Sequence, residues 1–317
     1  MTDSADSAAL EGWAIACEAS RAFSTFDITR QTAFALTESG RLAAVAEDDG
    51  AAVVVWIPEQ GWRSLLAEGD PRRELLELYL PISGGHAMRP MTIGHLGQSL
   101  DGFIATPSGD SVFVTGPQNI LHLHRLRSLC DAVIVGARTV STDNPRLTVR
   151  LVSGSNPLRV VLDRECRLGA SYKIFNDGEA PTVRACASGM TAPAAARERG
   201  DDIIEVEAHG DDLDLAQLIR HLHERGCFRI LVEGGGVTVS AFLEAGLLDR
   251  LHIAVAPLLI GDGRPAIRVR PHRRLQDCLR LQPRVYCTGN DILYDCDLRK
   301  DTGNMPAVAS ETVRRIL

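Results

Sequence analysis

The feature that most constrains the fold of this chain is the segment Leu231-Val-Glu-Gly-Gly-Gly-Val-Thr-Val-Ser240. An apolar run, Phe228–Val232, leads into an acidic residue and three glycines, and a helix is predicted to follow them. Glycines at a strand-to-helix turn permit positive φ angles and let the backbone come close to a ligand. The N–H groups at the start of the helix then favour a phosphate or pyrophosphate. The alternative is a tight connection that needs glycine only for packing.

Apolar strands alternate with amphipathic helices over most of the chain, which predicts an α/β fold with a mostly parallel central sheet flanked by helices. The predicted strands are Met91–Leu96, Ala132–Val135, Leu158–Leu162, Thr182–Ala187, Ile203–Val206, Phe228–Val232, Leu251–Pro257 and a closing pair near 283–298. The predicted helices are Gly116–Leu129, Leu213–Glu224 and Thr238–Leu247. Ligands bind at the carboxyl ends of strands in such sheets, so the loops there are expected to share one crevice.

The N-terminal part of the chain is predicted to be a small α+β region. Two strands, 41–46 and 51–57, flank an acidic turn, and a helix is predicted from Pro71 to Leu80 with Asp70 as a possible cap. Residues 1 to about 10 are small and polar, so we expect them to be disordered.

The domain boundaries follow from composition. A connector rich in glycine and proline, residues 81–90, places a boundary near residue 88. The chain is therefore predicted to comprise an N-terminal region of unknown role, 1–88, a second domain, 89–299, and a C-terminal tail, 300–317.

Charge and motif spacing argue against several classes of function. The net charge of −7 and the lack of a basic run indicate that nucleic acid is not a partner. The eight cysteines include no CxxC pair and the nine histidines no HxxxH pattern, so no metal site is predicted. Scattered cysteines predict reduced thiols in a cytoplasmic protein. No apolar run reaches the roughly 18 residues of a membrane span.

Nine short motifs occur in order between residues 91 and 298: Gln98–Gly102, Val114–Pro117, His124–Arg127, Ala132–Gly136, Thr139–Val140, Asp143–Arg150, Leu158–Asp163, Leu231–Gly236 and Phe242–Asp249. Together they resemble the reductase domain of riboflavin biosynthesis, the C-terminal domain of the bifunctional deaminase–reductase family. The resemblance implies a dihydrofolate-reductase-like fold, a homodimer and bound NADPH. It also implies reduction of a phosphorylated small molecule, a ribosylamino-pyrimidine 5′-phosphate, to its ribitylamino form.

The resemblance further implies which residues bind the two ligands. On the cofactor side these are Gly97, Phe113, Thr139, Asp143, Arg164, Gly235, Gly236, Val237, Thr238, Val239, Ser240 and Ala241. On the substrate side they are Ser111, Arg127, Leu147, Arg150 and Glu233. Arg164 is the candidate for the 2′-phosphate of NADPH, and Arg127 and Arg150 are candidates for the ribose phosphate. The catalytic candidates that could supply a proton are His95, Asp101 and Glu233.

Structural roles remain open for several of these residues. Asp101 could cap its own turn, and Thr139 could cap a short helix. Arg127 could be a solvated charge at a helix end. His122 and His124 are predicted to lie on the surface of that helix.

Three departures from the family pattern concern the substrate. His95 stands where a lysine is usual, Asn144 where a second aspartate is common, and Phe113 where tryptophan is common. Another ribosylated heterocycle or a pterin-like compound is therefore an alternative substrate, and a catalytically silent nucleotide-binding module is a third reading. Residues 1–88 lack the His-x-Glu and Pro-Cys-x-x-Cys signature of the family's zinc deaminase domain.

Overall fold

The structure is a computed structural model that describes residues 2–112, 114–190, 202–210 and 212–299 of the 317. The chain divides at Met91 into two compact units. Within the described residues, no helix is long and apolar enough to cross a membrane. No group of three or more histidine, cysteine or acidic side chains in those ranges is arranged to hold a metal ion. The predicted tail lies outside the described residues.

The first unit is a four-stranded antiparallel sheet with two helices. Its elements are α1 (Thr2–Arg21), β1 (Thr32–Leu36), β2 (Leu42–Val45), β3 (Ala52–Ile57), β4 (Gly61–Ser64) and α2 (Arg73–Ser83). The strand order is β2-β1-β3-β4. Trp56 and Trp62 are register partners on β3 and β4, and both are buried. Strands β2 and β3 are the two that the sequence predicts.

Helix α1 begins at Thr2, so the expectation of disorder up to about residue 10 is wrong. The second half of α1 buries Ile15, Ala16 and Ala19 completely, and the helix packs against α2. Alanine, which recurs in the segment before Trp13, has the highest helix propensity of any residue. The residues before Trp13 therefore extend a helix that packing has already stabilised.

Helix α2 extends beyond its predicted end at Leu80. It ends at Ser83, whose Oγ donates a hydrogen bond to the carbonyl of Ala16 in α1 at 2.8 Å. This contact anchors the last turn to the neighbouring helix. Asp70 accepts a hydrogen bond from the Arg72 amide at 2.9 Å, ahead of the first helical residue.

The second unit is a large sheet with helices between its strands. Its elements are β5 (Met91–Ser99), β6 (Phe103–Ala105), α3 (Pro117–Leu129), β7 (Ala132–Gly136), α4 (Ala137–Asp143), β8 (Leu158–Leu162), α5 (Lys173–Asn176), β9 (Thr182–Ala187), β10 (Asp202–Val206), β11 (Ala208–His209), β12 (Asp212–Leu213), α6 (Leu215–Glu224), β13 (Arg229–Val232), α7 (Gly236–Glu244), β14 (Arg250–Ala256), β15 (Arg264–Pro265), β16 (Arg284–Thr288) and β17 (Asp291–Asp297).

The predicted α/β fold with a mostly parallel sheet is confirmed. Nine strands follow the order β10-β9-β8-β7-β13-β5-β14-β17-β16. The pairs from β10 to β13 and the pair β5–β14 are parallel. The last two strands, β17 and β16, add as an antiparallel edge. The carboxyl ends of β5, β7, β13 and β14 therefore lie along one side of the sheet.

The core of this unit explains why its strands are apolar without alternation. Ala132, Val133, Ile134 and Val135 of β7 are fully buried, because helices cover both faces of a parallel sheet. Helices α6 and α7 each bury one face in the hydrophobic core that the strands of this sheet also form. The strands predicted from continuous apolar runs consequently match the observed ones to within a few residues.

The prediction that all cysteines are reduced is wrong for one pair. Cys166 and Cys186 are joined by a disulfide, with their Cα atoms 6.1 Å apart. Cys166 follows β8 in a left-handed turn with φ of 53°, and Cys186 lies in the adjacent strand β9. Neighbouring strands bring the two sulfur atoms together, which their separation of 20 residues does not reveal.

Helix α3 covers a row of polar side chains on the sheet. His252 is the register partner of both His95 and Asp295, so these three side chains share one face. His122 Nε2 lies 3.1 Å from His252 Nδ1, and the His122 ring is 5.3 Å from the His95 ring. His95, His122 and His252, all buried, are called the histidine row below. The prediction that His122 and His124 lie on the helix surface is wrong, because both face inward and are 2% exposed.

Candidate active site

The glycine turn, Gly234–Gly236, follows β13 and leads directly into α7. Gly234 has a φ of 104°, a conformation that favours glycine. The Gly235 amide donates to Thr139 Oγ1 of α4 at 3.0 Å. Thr139 therefore binds the turn and does not cap α4, whose N-cap is Gly136. The hydrogen bond brings together the loops after β7 and β13.

The start of α7 combines close packing with an open backbone. A Cβ at Gly236 would lie 1.7 Å from the Ala266 carbonyl oxygen, so this position requires glycine. The first-turn amides of Gly236 and Val237 have no acceptor within the helix. Val237 is 74% exposed beside them. These features fit a phosphate group of a dinucleotide held by the backbone.

The remaining cofactor candidates on α7 contribute packing. Thr238, Val239 and Ser240 are buried, and Ala241 is half-buried. Ser240 Oγ accepts a hydrogen bond from the Arg268 amide at 2.8 Å. A ligand at this helix would therefore contact its first-turn backbone, with these side chains fixing the helix in place.

Arg127 and Glu233 form a buried ion pair between α3 and the glycine turn. Arg127 Nε and Nη2 each donate to a Glu233 carboxylate oxygen at 2.9 Å. Arg127 is 8% exposed and Glu233 4% exposed, so Arg127 is not a solvated charge at the helix end. Its Nη1 donates to the Thr148 carbonyl at 3.4 Å. Arg127 is thus placed to orient Glu233 and to tie it to the loop after α4.

That loop contains Leu147 and Arg150. Leu147 is buried and has a φ of 54°, an unfavourable conformation for a bulky side chain, of the kind that clusters at functional sites. The Arg150 amide donates to His124 Nδ1 at 2.9 Å. Arg150 Nη1 donates to Thr148 Oγ1 at 2.7 Å. The guanidinium is therefore positioned by its own loop.

Positive charge is in excess around Arg150. Burial and the nearby charges of Arg127 and Arg146 lower the pKa of Arg150. Arg127 is neutralised by Glu233, and Arg146 forms an ion pair with Glu179. Within the described ranges, Arg150 forms no ion pair. Arg150 can therefore bind a phosphate, and the neighbouring Glu233 carboxylate can accept hydrogen bonds. The pair is suited to a ligand that carries both a phosphate and hydrogen-bond donors.

The Asp101 carboxylate joins two loops through hydrogen bonds. Its carboxylate accepts hydrogen bonds from Ser99 Oγ at 2.5 Å and from the amides of Ile260 and Gly261 at 3.1 Å and 2.7 Å. The Ser99 and Gly261 hydrogen bonds lower the pKa of Asp101. An ionised carboxylate of this kind joins the loops after β5 and β14 and is a poor proton donor.

His95 lies inside the fold. Burial lowers its pKa to about 3, and its Nε2 lies 3.0 Å from Asn119 Oδ1. His95 is therefore neutral at physiological pH, unlike the lysine that is usual there. The nearby Gly97 also has a packing role, since a Cβ there would lie 2.7 Å from Thr115 Cγ2.

The other predicted site residues occupy neighbouring loops. Asp143 ends α4, and burial raises its pKa although Arg264 opposes the shift. Arg164 lies in the turn after β8, with Nη1 3.6 Å from Glu165 Oε1. Ser111 is half-buried in the loop before α3. Phe113 lies outside the described residues.

Sequence reasoning counted the Thr148 hydroxyl among the polar groups of this crevice but missed Arg146. Thr148 accepts hydrogen bonds from both Arg127 and Arg150, and it lies within the Asp143–Arg150 motif. The position of Arg146 in the same motif, four residues before Arg150, is a signal that could have identified it.

Comparisons with known proteins identify relatives of this domain. Residues 90–292 match the family model of the RibD C-terminal domain. The chain is 35% identical over 216 residues to the 2,5-diamino-6-ribosylamino-4(3H)-pyrimidinone 5′-phosphate reductase of Methanothermobacter thermautotrophicus, covering 66% of this chain and 98% of that protein. It is 33% identical over 176 residues to the riboflavin biosynthesis protein RibD of Aquifex aeolicus, covering 55% of this chain and 48% of that protein. The chain thus spans about half the length of that RibD protein.

Solved structures agree with the fold. The deaminase/5-amino-6-(5-phosphoribosylamino)uracil reductase of Thermotoga maritima has a TM-score of 0.56 at 26% identity, covering 71% of this chain and 60% of that one. A RibD structure from Acinetobacter baumannii has a TM-score of 0.57 at 27% identity, covering 72% and 62%. The predicted dihydrofolate-reductase-like fold is confirmed by these neighbours.

Proposed function

The chain belongs to the RibD C-terminal domain family, and we propose that it is an NADPH-dependent reductase of the riboflavin pathway. The proposed reaction converts a ribosylamino-pyrimidine 5′-phosphate to its ribitylamino form. We assign this activity to residues 89–299. A cytoplasmic location stays a prediction, and no role is assigned to residues 1–88.

The observation that carries the proposal is the charge arrangement beside the glycine turn. Arg150 offers a guanidinium without a carboxylate partner in the described part of the chain, and Glu233 lies in the same network, held by Arg127. Arg150 would bind the ribose phosphate. Glu233 would accept hydrogen bonds from the base or the sugar hydroxyls. A module that only binds a nucleotide has no need of this second anion site, which argues against the catalytically silent alternative.

The chemistry requires the ribose to open to an imine, which then receives a hydride at C1′. A reduced nicotinamide supplies that hydride when it is bound. The residues of this chain hold the two ligands at reacting distance and limit the access of water. This division of roles explains why no nucleophile–base pair is needed. The roles of Gly97, Thr139, Asp143, Arg164 and Ser111 in holding the ligands stay predictions.

The direct test follows NADPH absorbance with purified protein and 5-amino-6-ribosylaminouracil 5′-phosphate, with NADH measured in parallel. We expect oxidation of NADPH to be well above that of NADH. Tight NADPH binding without turnover would move the proposal to another ribosylated heterocycle or a pterin-like compound. The neutral His95, in place of a lysine, favours that second candidate. Absence of binding for either nucleotide would refute the reductase proposal.

Replacing Arg150 with alanine should separate substrate binding from cofactor binding. Because the guanidinium is assigned to the substrate phosphate, we expect kcat/KM to fall about 100-fold. The Kd for NADPH should stay nearly unchanged. Arg280→Ala, at an exposed position outside the site, is the matched control. An equal loss of NADPH affinity in a folded Arg150→Ala protein would contradict the assignment.

We also propose a homodimer that forms through the antiparallel edge of the sheet. Val285 and Tyr294 are register partners on the face opposite the histidine row, and they are 44% and 37% exposed. Ile253 continues this apolar surface on β14. Packing against a second copy of the chain would remove these apolar side chains from water.

Replacing Tyr294 with lysine should therefore shift the protein from dimer to monomer. Light scattering coupled to size exclusion would measure the mass. Val269→Lys, at another exposed apolar position, should leave the dimer intact. A wild-type protein that is monomeric at micromolar concentration would refute the dimer.

A further inference from the structure

The segment Gly263–Ala266 is held tightly between β6 and the start of α7. Arg264 pairs with Ala105 across the two short strands. A Cβ at Gly263 would lie 2.1 Å from the Ala105 carbonyl oxygen, and a Cβ at Gly236 would lie 1.7 Å from the Ala266 carbonyl oxygen. Only glycine at both contact positions permits this approach. The backbone of Arg264 is consequently fixed beside the glycine turn.

The side chain of Arg264 lies across a second loop. A Cβ at Gly109, which has a φ of 97°, would lie 2.5 Å from Arg264 Nη2. The guanidinium thus packs on the Gly109 backbone. Arg264 is half-buried, yet within the described part of the chain its guanidinium has no hydrogen bond and no ion pair. Its charge acts on Asp143, whose pKa it lowers against the effect of burial.

Asp143 links Arg264 to the glycine turn. Thr139 and Asp143 are four residues apart on α4 and therefore lie on the same side of the helix. Thr139 binds the Gly235 amide, and Asp143 lies one turn further along. Arg264 thus borders the same region as the open first-turn amides of Gly236 and Val237.

A half-buried guanidinium that makes no hydrogen bond and no ion pair has lost part of its hydration without replacing it. A phosphate supplies negative charge, and two of its oxygens can accept hydrogen bonds from the planar guanidinium of arginine. We propose that Arg264 binds a phosphate group of the dinucleotide cofactor, together with the amides at the start of α7. This inference rests on the proposed function. It adds a residue from the loop after β14 to the cofactor site.

The test is equilibrium titration of purified protein with NADPH and, separately, with NADH. Losing a charge-assisted hydrogen bond should raise the Kd of Arg264→Gln about 10- to 100-fold. Arg264→Lys keeps the charge but not the planar fork, so its Kd should fall between those of the wild type and Arg264→Gln. Arg273→Gln, at an exposed position on the same loop, should bind like the wild type. Thermal melting of each variant verifies that it is folded.

The outcomes separate this inference from the proposed function. A loss for both nucleotides supports contact with the pyrophosphate, and a loss for NADPH alone supports contact with the 2′-phosphate. An unchanged Kd for both nucleotides in folded Arg264→Gln would overturn the inference. The same holds if the only change is a higher KM for the substrate. A wild-type protein that binds neither nucleotide would overturn the proposed function and this inference with it.

Discussion

The second unit should lose stability steeply below about pH 6, because the histidine row must stay neutral while the fold is intact. Burial is the largest cause that lowers the pKa of His95, His122 and His252. The unfolded chain binds these protons near pH 6.5, and the folded chain does not. Stability is therefore complete above that pH and falls as the pH drops below it. His95 and His122, whose pKa values lie far below 6.5, together predict a loss of about 3 kcal/mol per pH unit.

The surroundings of the histidine row give little compensation for a positive charge. Asp295 is the only carboxylate in contact with the row among the described residues, with its Oδ1 3.2 Å from His252 Nε2. It already binds Arg250 and Arg284. Arg127 and Arg125 add further positive charge nearby. A second proton on the row would therefore have no counter-ion.

The two units offer an internal comparison for this measurement. All three tryptophans, Trp13, Trp56 and Trp62, lie in the first unit, so tryptophan fluorescence reports on that unit alone. Hydrogen exchange of the β14 amides reports on the second. Between pH 7 and 5, the free energy of opening measured by hydrogen exchange in β14 should fall far more than the free energy of unfolding measured by tryptophan fluorescence. His122→Gln should reduce the pH slope by about one half. An exposed control, His209→Gln, should not change it, and β14 protection independent of pH would contradict the prediction.

The predictable parts of this molecule are those that local patterns specify. Strands such as Leu158–Leu162 were predictable because parallel sheets bury both faces and leave a continuous apolar run. The glycine turn was predictable because positive φ and close approach select glycine. The motifs in fixed order then indicated the family and its fold.

The unpredicted parts depend on which residues meet across strands. His95 and His252 of the histidine row meet Asp295 because the three residues fall in register on three neighbouring strands, and no local pattern specifies that register. The disulfide between Cys166 and Cys186 has the same origin. In the candidate site, the sequence indicated Arg127 and Glu233 separately. Their pairing with each other needed the structure.

Replacing Arg127 with methionine should destabilise the second unit by about 3–5 kcal/mol, because it leaves Glu233 buried without its counter-ion. The two side chains are 10% and 5% exposed and share two hydrogen bonds of 2.9 Å. In Arg127→Met/Glu233→Gln, the buried charge is also removed, so most of the loss should be recovered. Urea unfolding followed by hydrogen exchange in β13 would measure the difference.

A surface ion pair supplies the matched control. Arg274 and Asp277 are 68% and 37% exposed, so Arg274→Met should cost less than about 1 kcal/mol. The double variant at Arg127 and Glu233 should regain stability without regaining activity, since Glu233 is assigned to the substrate. If Arg127→Met were as stable as the wild type, the pair would not be buried as described. If the double variant were as unstable as Arg127→Met, the loss would come from packing of the arginine side chain and not from the unpaired carboxylate.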